Sequence, residues 1–242
     1  MIYSALTDVG MKRTNNEDSY IVNTDNKNKI FIVADGMGGH NAGEVASLEA
    51  CRIVESGILT GEGTIEEILV KAVQKANREI FIRASEDETK SGMGTTIDAA
   101  VICDDTLYIA HVGDSRVYLV SEDEITKITH DHSIVGMMLD SGSITEEEAR
   151  LHPQRNLITR AVGTAMTVEV DIVKELLHSD GWVLMCTDGL TSMVPKNDIH
   201  NIIINSSNVN DAVSALVEKA KENGGDDNIT AILLKMKKGG ER

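Results

Sequence analysis

Four times along this chain an aspartate stands at the end of a short apolar run, with glycine close by. Ile32-Val33-Ala34 leads into Asp35-Gly36-Met37-Gly38-Gly39-His40, and Ile109-Ala110-His111-Val112-Gly113 into Asp114-Ser115-Arg116. Val183-Leu184-Met185-Cys186-Thr187 leads into Asp188-Gly189, and Gly224-Gly225-Asp226-Asp227-Asn228 precedes the run that starts at Ile229. A strand end holds a side chain rigidly, and an adjacent glycine lets the backbone turn tightly or approach a ligand. One Asp-Gly pair is an ordinary turn. Four of them suggest more. Carboxylates gathered without a cation repel one another, and carboxylates without clustered His or Cys suit Mg²⁺ or Mn²⁺ rather than zinc. Spacing alone leaves open whether the four converge. A further cluster, Arg13-Thr14-Asn15-Asn16-Glu17-Asp18, couples one arginine to two acids. Its guanidinium suits bidentate recognition of phosphate oxygens, and it equally suits a surface loop closed by ion pairs.

The elements that must position these residues are short. Val- and Ile-rich runs bounded by Gly, Asp or Asn predict strands at 20–22, 29–34, 96–103, 107–112, 117–120, 168–173, 182–186 and 229–234. Residues 96–129 leave no room for helices between strands, which predicts antiparallel pairing. Helical periodicity covers 43–58 and 209–221. A third helix is predicted after the N-cap Thr64, with Ile65, Ile68, Leu69, Ala72, Val73, Ala76 and Ile80 on one face. The expected class is an α+β sandwich with sheets inside and helices outside. Residues 131–165 differ in character and predict a helical excursion plus loop, a flap beside the site. Only two prolines occur and no linker divides the chain, so one domain over 1–242 is expected.

The chain has 242 residues, 39 acidic and 23 basic, for a net charge of −16. That charge disfavours nucleic acid and anionic membrane surfaces as partners. Three scattered cysteines, no visible signal peptide and no apolar run of spanning length predict a cytoplasmic protein with reduced thiols. His111 is predicted to be a buried, hydrogen-bonded strand residue. Arg155 and Arg160 stand open between attracting phosphopeptides and pairing with nearby glutamates.

Together these motifs resemble the metal-dependent Ser/Thr protein phosphatases of the PPM (PP2C) family in their short bacterial form. The resemblance runs from about Ala5 to Leu234. It rests on an ordered set. Arg13-x-x-Asn16-Glu17-Asp18 comes first, then Asp35-Gly36-Met37-Gly38-Gly39-His40 with Ala42-Gly43-Glu44, Gly94-Thr95-Thr96 and Gly113-Asp114-Ser115-Arg116. Asp131-His132-Ser133, His152-Pro153, Thr159-Arg160-Ala161-x-Gly163, Asp188-Gly189-Leu190 and Asp227-Asn228-Ile229-Thr230 complete it.

The resemblance implies a four-layer α/β/β/α sandwich with two mostly antiparallel sheets and a metal centre in the cleft at one edge. It implies hydrolysis of phosphoserine and phosphothreonine in proteins by a metal-bridging hydroxide attacking phosphorus in line. By the same resemblance Asp35 bridges two Mn²⁺ or Mg²⁺ ions, and the Gly36 carbonyl, Asp188 and Asp227 complete the coordination. Glu17 acts through water, Asp18 supports from behind, Asp114 with Asp188 holds a third ion, Arg13 binds the phosphate and Asn228 orients Asp227 or a water. Where some relatives carry a histidine proposed as general acid, this chain has Met37. That leaves His40 or a water as proton donor. The implied partners are phosphorylated proteins, including a cognate Ser/Thr kinase, and the expected state is a monomer. The six acids assigned to the centre leave 33 dispersed ones. These serve solubility and are expected to favour substrates with basic residues around the phosphate.

Overall fold

In chain order the strands and helices are β1 (Ile2–Asp8), β2 (Asp18–Asn23), β3 (Lys29–Met37), α1 (Ala42–Thr60), α2 (Ile65–Glu86), β4 (Gly94–Thr95), β5 (Ile97–Cys103), β6 (Thr106–Val112), β7 (Arg116–Val120) and β8 (Ile125–Lys127). They continue with α3 (Ile134–Asp140), α4 (Glu146–Leu151), β9 (Asp171–Leu176), β10 (Trp182–Cys186), α5 (Asp188–Thr191), α6 (Lys196–Asn205), α7 (Val209–Glu222) and β11 (Ile229–Lys235). The structure is a computed structural model that describes residues 1–38, 42–177 and 180–236.

Two sheets form. One has the order β1-β11-β10-β7-β8 and the other β2-β3-β5-β6-β9, with β4 beside β3. All the pairings are antiparallel. The unbroken apolar character of the central strands follows from burial on both faces. In β3, Phe31 and Val33 face the other sheet, while Ile30, Ile32 and Ala34 face α1 and α2. In β11, Ile232 and Leu234 lie between the sheets, while Ile229, Ala231 and Leu233 face α6 and α7. Side chains of alternate residues point to opposite faces, so one strand serves two cores. The result is four layers, helix–sheet–sheet–helix, in the α+β class expected.

The helices start where local chemistry begins them. Thr64 caps α2 by accepting the Glu67 N–H (3.3 Å), and the Glu67 carboxylate accepts the Thr64 N–H (3.1 Å). The helix runs six residues past the predicted stripe, to Glu86.

Other differences have physical reasons. The strand predicted at 168–173 is β9, 171–176, because its register is set by pairing with β6, Asp171 opposite His111. Val168 and Val170 instead pack beside α2 as loop residues. Helix α6 was not foreseen. Its run of Ile202, Ile203 and Ile204 reads as strand by composition, yet Pro195 pre-sets the start and Ile199 and Ile203 share the buried face. Strands β1 and β8 were also not foreseen. Between β8 and β9 the excursion carries α3 and α4. No helix among the described residues is long and apolar enough to cross a membrane.

Candidate active site

Antiparallel pairing decides where the aspartates meet. Cys186 at the end of β10 lies opposite Ala231 near the start of β11, so Asp188 and Asp227 come to the same sheet end. Cys186 also lies opposite Arg116 at the start of β7, which brings in Asp114. In the other sheet, Asp18 at the start of β2 pairs with Asp35 near the end of β3.

The two sheet ends are tied together through Asp18. Its Oδ2 accepts hydrogen bonds from Thr187 (2.9 Å) and Thr230 (2.7 Å), both on the opposite sheet's side. Thr187 Oγ1 in turn accepts the Thr230 N–H (3.0 Å). Asp35 is fixed by its backbone: its N–H donates to Thr96 Oγ1 and its carbonyl accepts from Thr96 N–H, both at 2.9 Å. Thr96 Oγ1 lies 2.7 Å from Ser115 Oγ, which joins Asp35 to the turn that carries Asp114.

The 9–17 loop is pinned by Asn228. Its Oδ1 accepts the Glu17 N–H (2.7 Å), and its Nδ2 donates to the carbonyls of Val9 (3.0 Å) and Asn15 (2.9 Å). The Asn228 N–H donates to Asp227 Oδ1 at 2.8 Å. One residue thus holds both Asp227 and the loop that bears Arg13 and Glu17. Arg13 Nη2 lies 2.8 Å from Asp227 Oδ2 with its side chain half exposed. His40 lies outside the described residues.

Two glycines are required by close approach. A Cβ on Gly36 would stand 2.1 Å from the Gly43 carbonyl oxygen, and one on Gly189 would stand 1.9 Å from the Asn228 carbonyl oxygen. Alanine in a helix normally stabilises by about 1 kcal/mol over glycine. At Gly189 the backbone collision reverses that sign. Gly189→Ala is expected to cost about 2–3 kcal/mol and to part Asp188 from Asp227. A urea midpoint equal to or above the parent's would contradict this packing.

The electrostatics bear the mark of crowding. Burial, then the charges of Asp18, Asp188, Asp114 and Asp227, push Asp35 well above the usual carboxylate range. Burial also lifts Asp18 to about 7, against its two threonine hydrogen bonds, and lifts Asp114 to about 8 with help from Asp188 and Asp131. Glu17 and Asp188 are raised as well, burial leading in both. Among the described residues no three His, Cys, Asp or Glu side chains already close round a single point. The group nonetheless fits a hard divalent cation. All its donors are oxygens, its charges repel, and Asp18 Oδ1 is buried with no hydrogen-bond partner.

A polar network behind the site was not anticipated beyond its histidines. Asp98 and His111 face each other across β5 and β6, both inaccessible, with Oδ1 and Nδ1 2.6 Å apart. His111 Nε2 bonds the His130 carbonyl at 2.8 Å, as a donor. The His132 ring centroid is 4.6 Å from that of His111. His132 Nδ1 accepts the Gly113 N–H (3.0 Å), so its proton sits on Nε2, facing Asp171 (3.1 Å). Burial and His111 push the His132 pKa down, which keeps this neutral form. Arg160 is spoken for by Asp171 and Glu169. The available signal was Asp98 itself, an acid inside an apolar run opposite a histidine.

Comparison with known proteins shows the family of the chain. The model of the protein phosphatase 2C family matches residues 11–233. The serine/threonine phosphatase stp of Listeria innocua is 40% identical over 235 residues, covering 94% of this chain and 93% of that one. The solved structure of the Streptococcus agalactiae serine/threonine phosphatase superposes with a TM-score of 0.91 at 36% identity, covering 98% of this chain and 99% of that one. The catalytic domain of the serine/threonine protein phosphatase PstP in complex with two manganese ions superposes with a TM-score of 0.85 at 33% identity, each chain covered to 96%.

Proposed function

Since this chain belongs to the protein phosphatase 2C family and is a protein serine/threonine phosphatase, we propose that it hydrolyses phosphoserine and phosphothreonine through a carboxylate-held pair of Mn²⁺ or Mg²⁺ ions at the joint end of its two sheets. What carries this reading is the convergence there of Asp18, Asp35, Asp114, Asp188 and Asp227, whose charges raise the Asp35 pKa together with burial. The ions, when bound, supply a water acidic enough to ionise near neutral pH and offset charge on the phosphoryl oxygens.

The chain's own residues do the rest. Asp35, Asp188, Asp227 and the Gly36 carbonyl are the proposed direct ligands. Glu17 would hold water, Asp18 would support from the buried side, and Asp114 with Asp188 would hold a third ion. Asn228 holds Asp227 through its backbone N–H. Arg13 is the proposed phosphate group-binder. Its guanidinium would exchange the Asp227 carboxylate for equatorial phosphoryl oxygens, where charge concentrates during transfer. No covalent enzyme intermediate is needed, and Cys51 and Cys186 are buried with their thiol pKa values pushed up by burial. The proton donor to the leaving alkoxide is assigned to His40 or water. In this reading residues 1–242 form one catalytic domain whose excursion at about 131–165 acts as a flap. It works as a cytoplasmic monomer that opposes a Ser/Thr kinase.

Phosphothreonine, phosphotyrosine and a nucleoside monophosphate, offered in turn with Mn²⁺, separate the substrate classes. The phosphothreonine peptide is expected to lead by at least about tenfold in kcat/KM, or about 1.4 kcal/mol. Faster turnover of the nucleotide would replace this reading with a small-molecule phosphatase.

A further inference from the structure

The excursion and the site face each other across a cavity of about 120 Å³, which reaches from Asp114 and Asp188 to Arg150 and Arg155. A second cavity of about 260 Å³ shares Arg150, Arg155 and Ser192 with it and continues outward. Most charges along the inner cavity are matched. Asp131 is gripped by Arg116 (3.0 and 2.7 Å) and Lys127 (2.9 Å), and these partners hold its pKa low against the effect of burial. Lys196 is matched by Glu146 at 2.7 Å. Arg150 and Arg155 are different. Both are exposed, and neither has an acidic partner among the described residues. The unmatched Glu147 lines only the outer cavity. The inner wall therefore sets two unpaired guanidiniums on the same cavity as Asp114 and Asp188 of the proposed reaction centre.

We propose that this trough, between α4 and the α5 edge of the site, is a subsite for an anionic group carried by the substrate within a few residues of the phosphate under attack. The occupant is a carboxylate or second phosphate on the phosphopeptide, the chemistry two unpaired guanidiniums recognise. An extended peptide advances about 3.4 Å per residue, so flanking side chains come within reach. The inference rests on the phosphoprotein phosphatase reading and reverses, at one place, the preference for basic flanks expected from the net charge of −16. A general acidic surface acts at long range and is screened by salt, whereas a trough beside the site acts at contact.

The test is a set of phosphothreonine peptides in which Glu, Ala or Lys is walked through positions two to four on either side. Turnover is compared for the parent, the Arg150→Ala/Arg155→Ala double variant and the Arg150→Glu/Arg155→Glu reversal, with p-nitrophenyl phosphate as a probe without flanks. At one position Glu is expected to raise the parent's kcat/KM over Ala by about fivefold. The double alanine variant should lose that preference, and the reversal should shift it to Lys. All three should hydrolyse p-nitrophenyl phosphate within about twofold of one another, the scale of a surface change away from the chemistry. An unchanged Glu preference in the double variant, no Glu preference in the parent, or an equal loss on p-nitrophenyl phosphate would overturn the subsite. A parent inert toward both probes with Mn²⁺ present would overturn the phosphatase reading and the subsite with it.

Discussion

Asp35→Asn is expected to leave no more than about one-thousandth of the parent's kcat/KM on a phosphothreonine peptide, a loss of about 4 kcal/mol of transition-state stabilisation. The substitution keeps the shape of the side chain and the backbone bonds to Thr96, so the end of β3 stays in place. It removes the anionic oxygens at the point where the charges of four other aspartates converge. The same change has an opposite effect on the metal-free chain. A carboxyl whose pKa is raised on folding opposes folding above its unfolded value of 3.8, and that penalty grows as pH climbs toward the folded value. The chelator-treated variant should therefore melt no lower than the chelator-treated parent at pH 7. A variant that both loses activity and melts lower would mean that Asp35 is structural.

The second large effect is one of stability. Asp98→Ala is expected to cost about 3–5 kcal/mol, which for a chain of this size lowers the melting temperature by about 10 °C. The pair it breaks is inaccessible to water, and His111 would keep one bond, to the His130 carbonyl, and lose the other. Asp98→Asn keeps an acceptor beside His111 and should cost about 1–2 kcal/mol. Thermal melts of the two variants check the ranking. Equal melting temperatures would show that the charge of Asp98, and not its hydrogen bond, supports the fold.

How much of this was legible in the sequence depends on the kind of information. Asp35, Asp114, Asp188 and Asp227 were visible because each adjoins an apolar run and glycine. Their meeting was not, since it follows from registers such as Cys186 opposite Ala231 and Asp18 opposite Asp35, which no local pattern encodes. The α+β class was legible from closely spaced strands; the four layers came only with the family resemblance. Helix α6 hid behind isoleucines that favour strands until tertiary burial of Ile199 and Ile203 overrides them. Arg155 and Arg160 looked alike as residues beside glutamates. The fold separates them by pairing Arg160 with Asp171 and leaving Arg155 unmatched. Asn228 was expected to orient Asp227 or a water; its N–H holds Asp227, and its side chain, which no local pattern foretold, also stitches the Arg13 loop to the site.

The most direct test of the central claim is hydrolysis of a phosphothreonine peptide by protein stripped of divalent cations with a chelator, before and after Mn²⁺ is restored. A hard-cation site built from these carboxylates predicts that stripped protein is inert and that Mn²⁺ returns turnover by about a thousandfold or more. Undiminished turnover in excess chelator would contradict it.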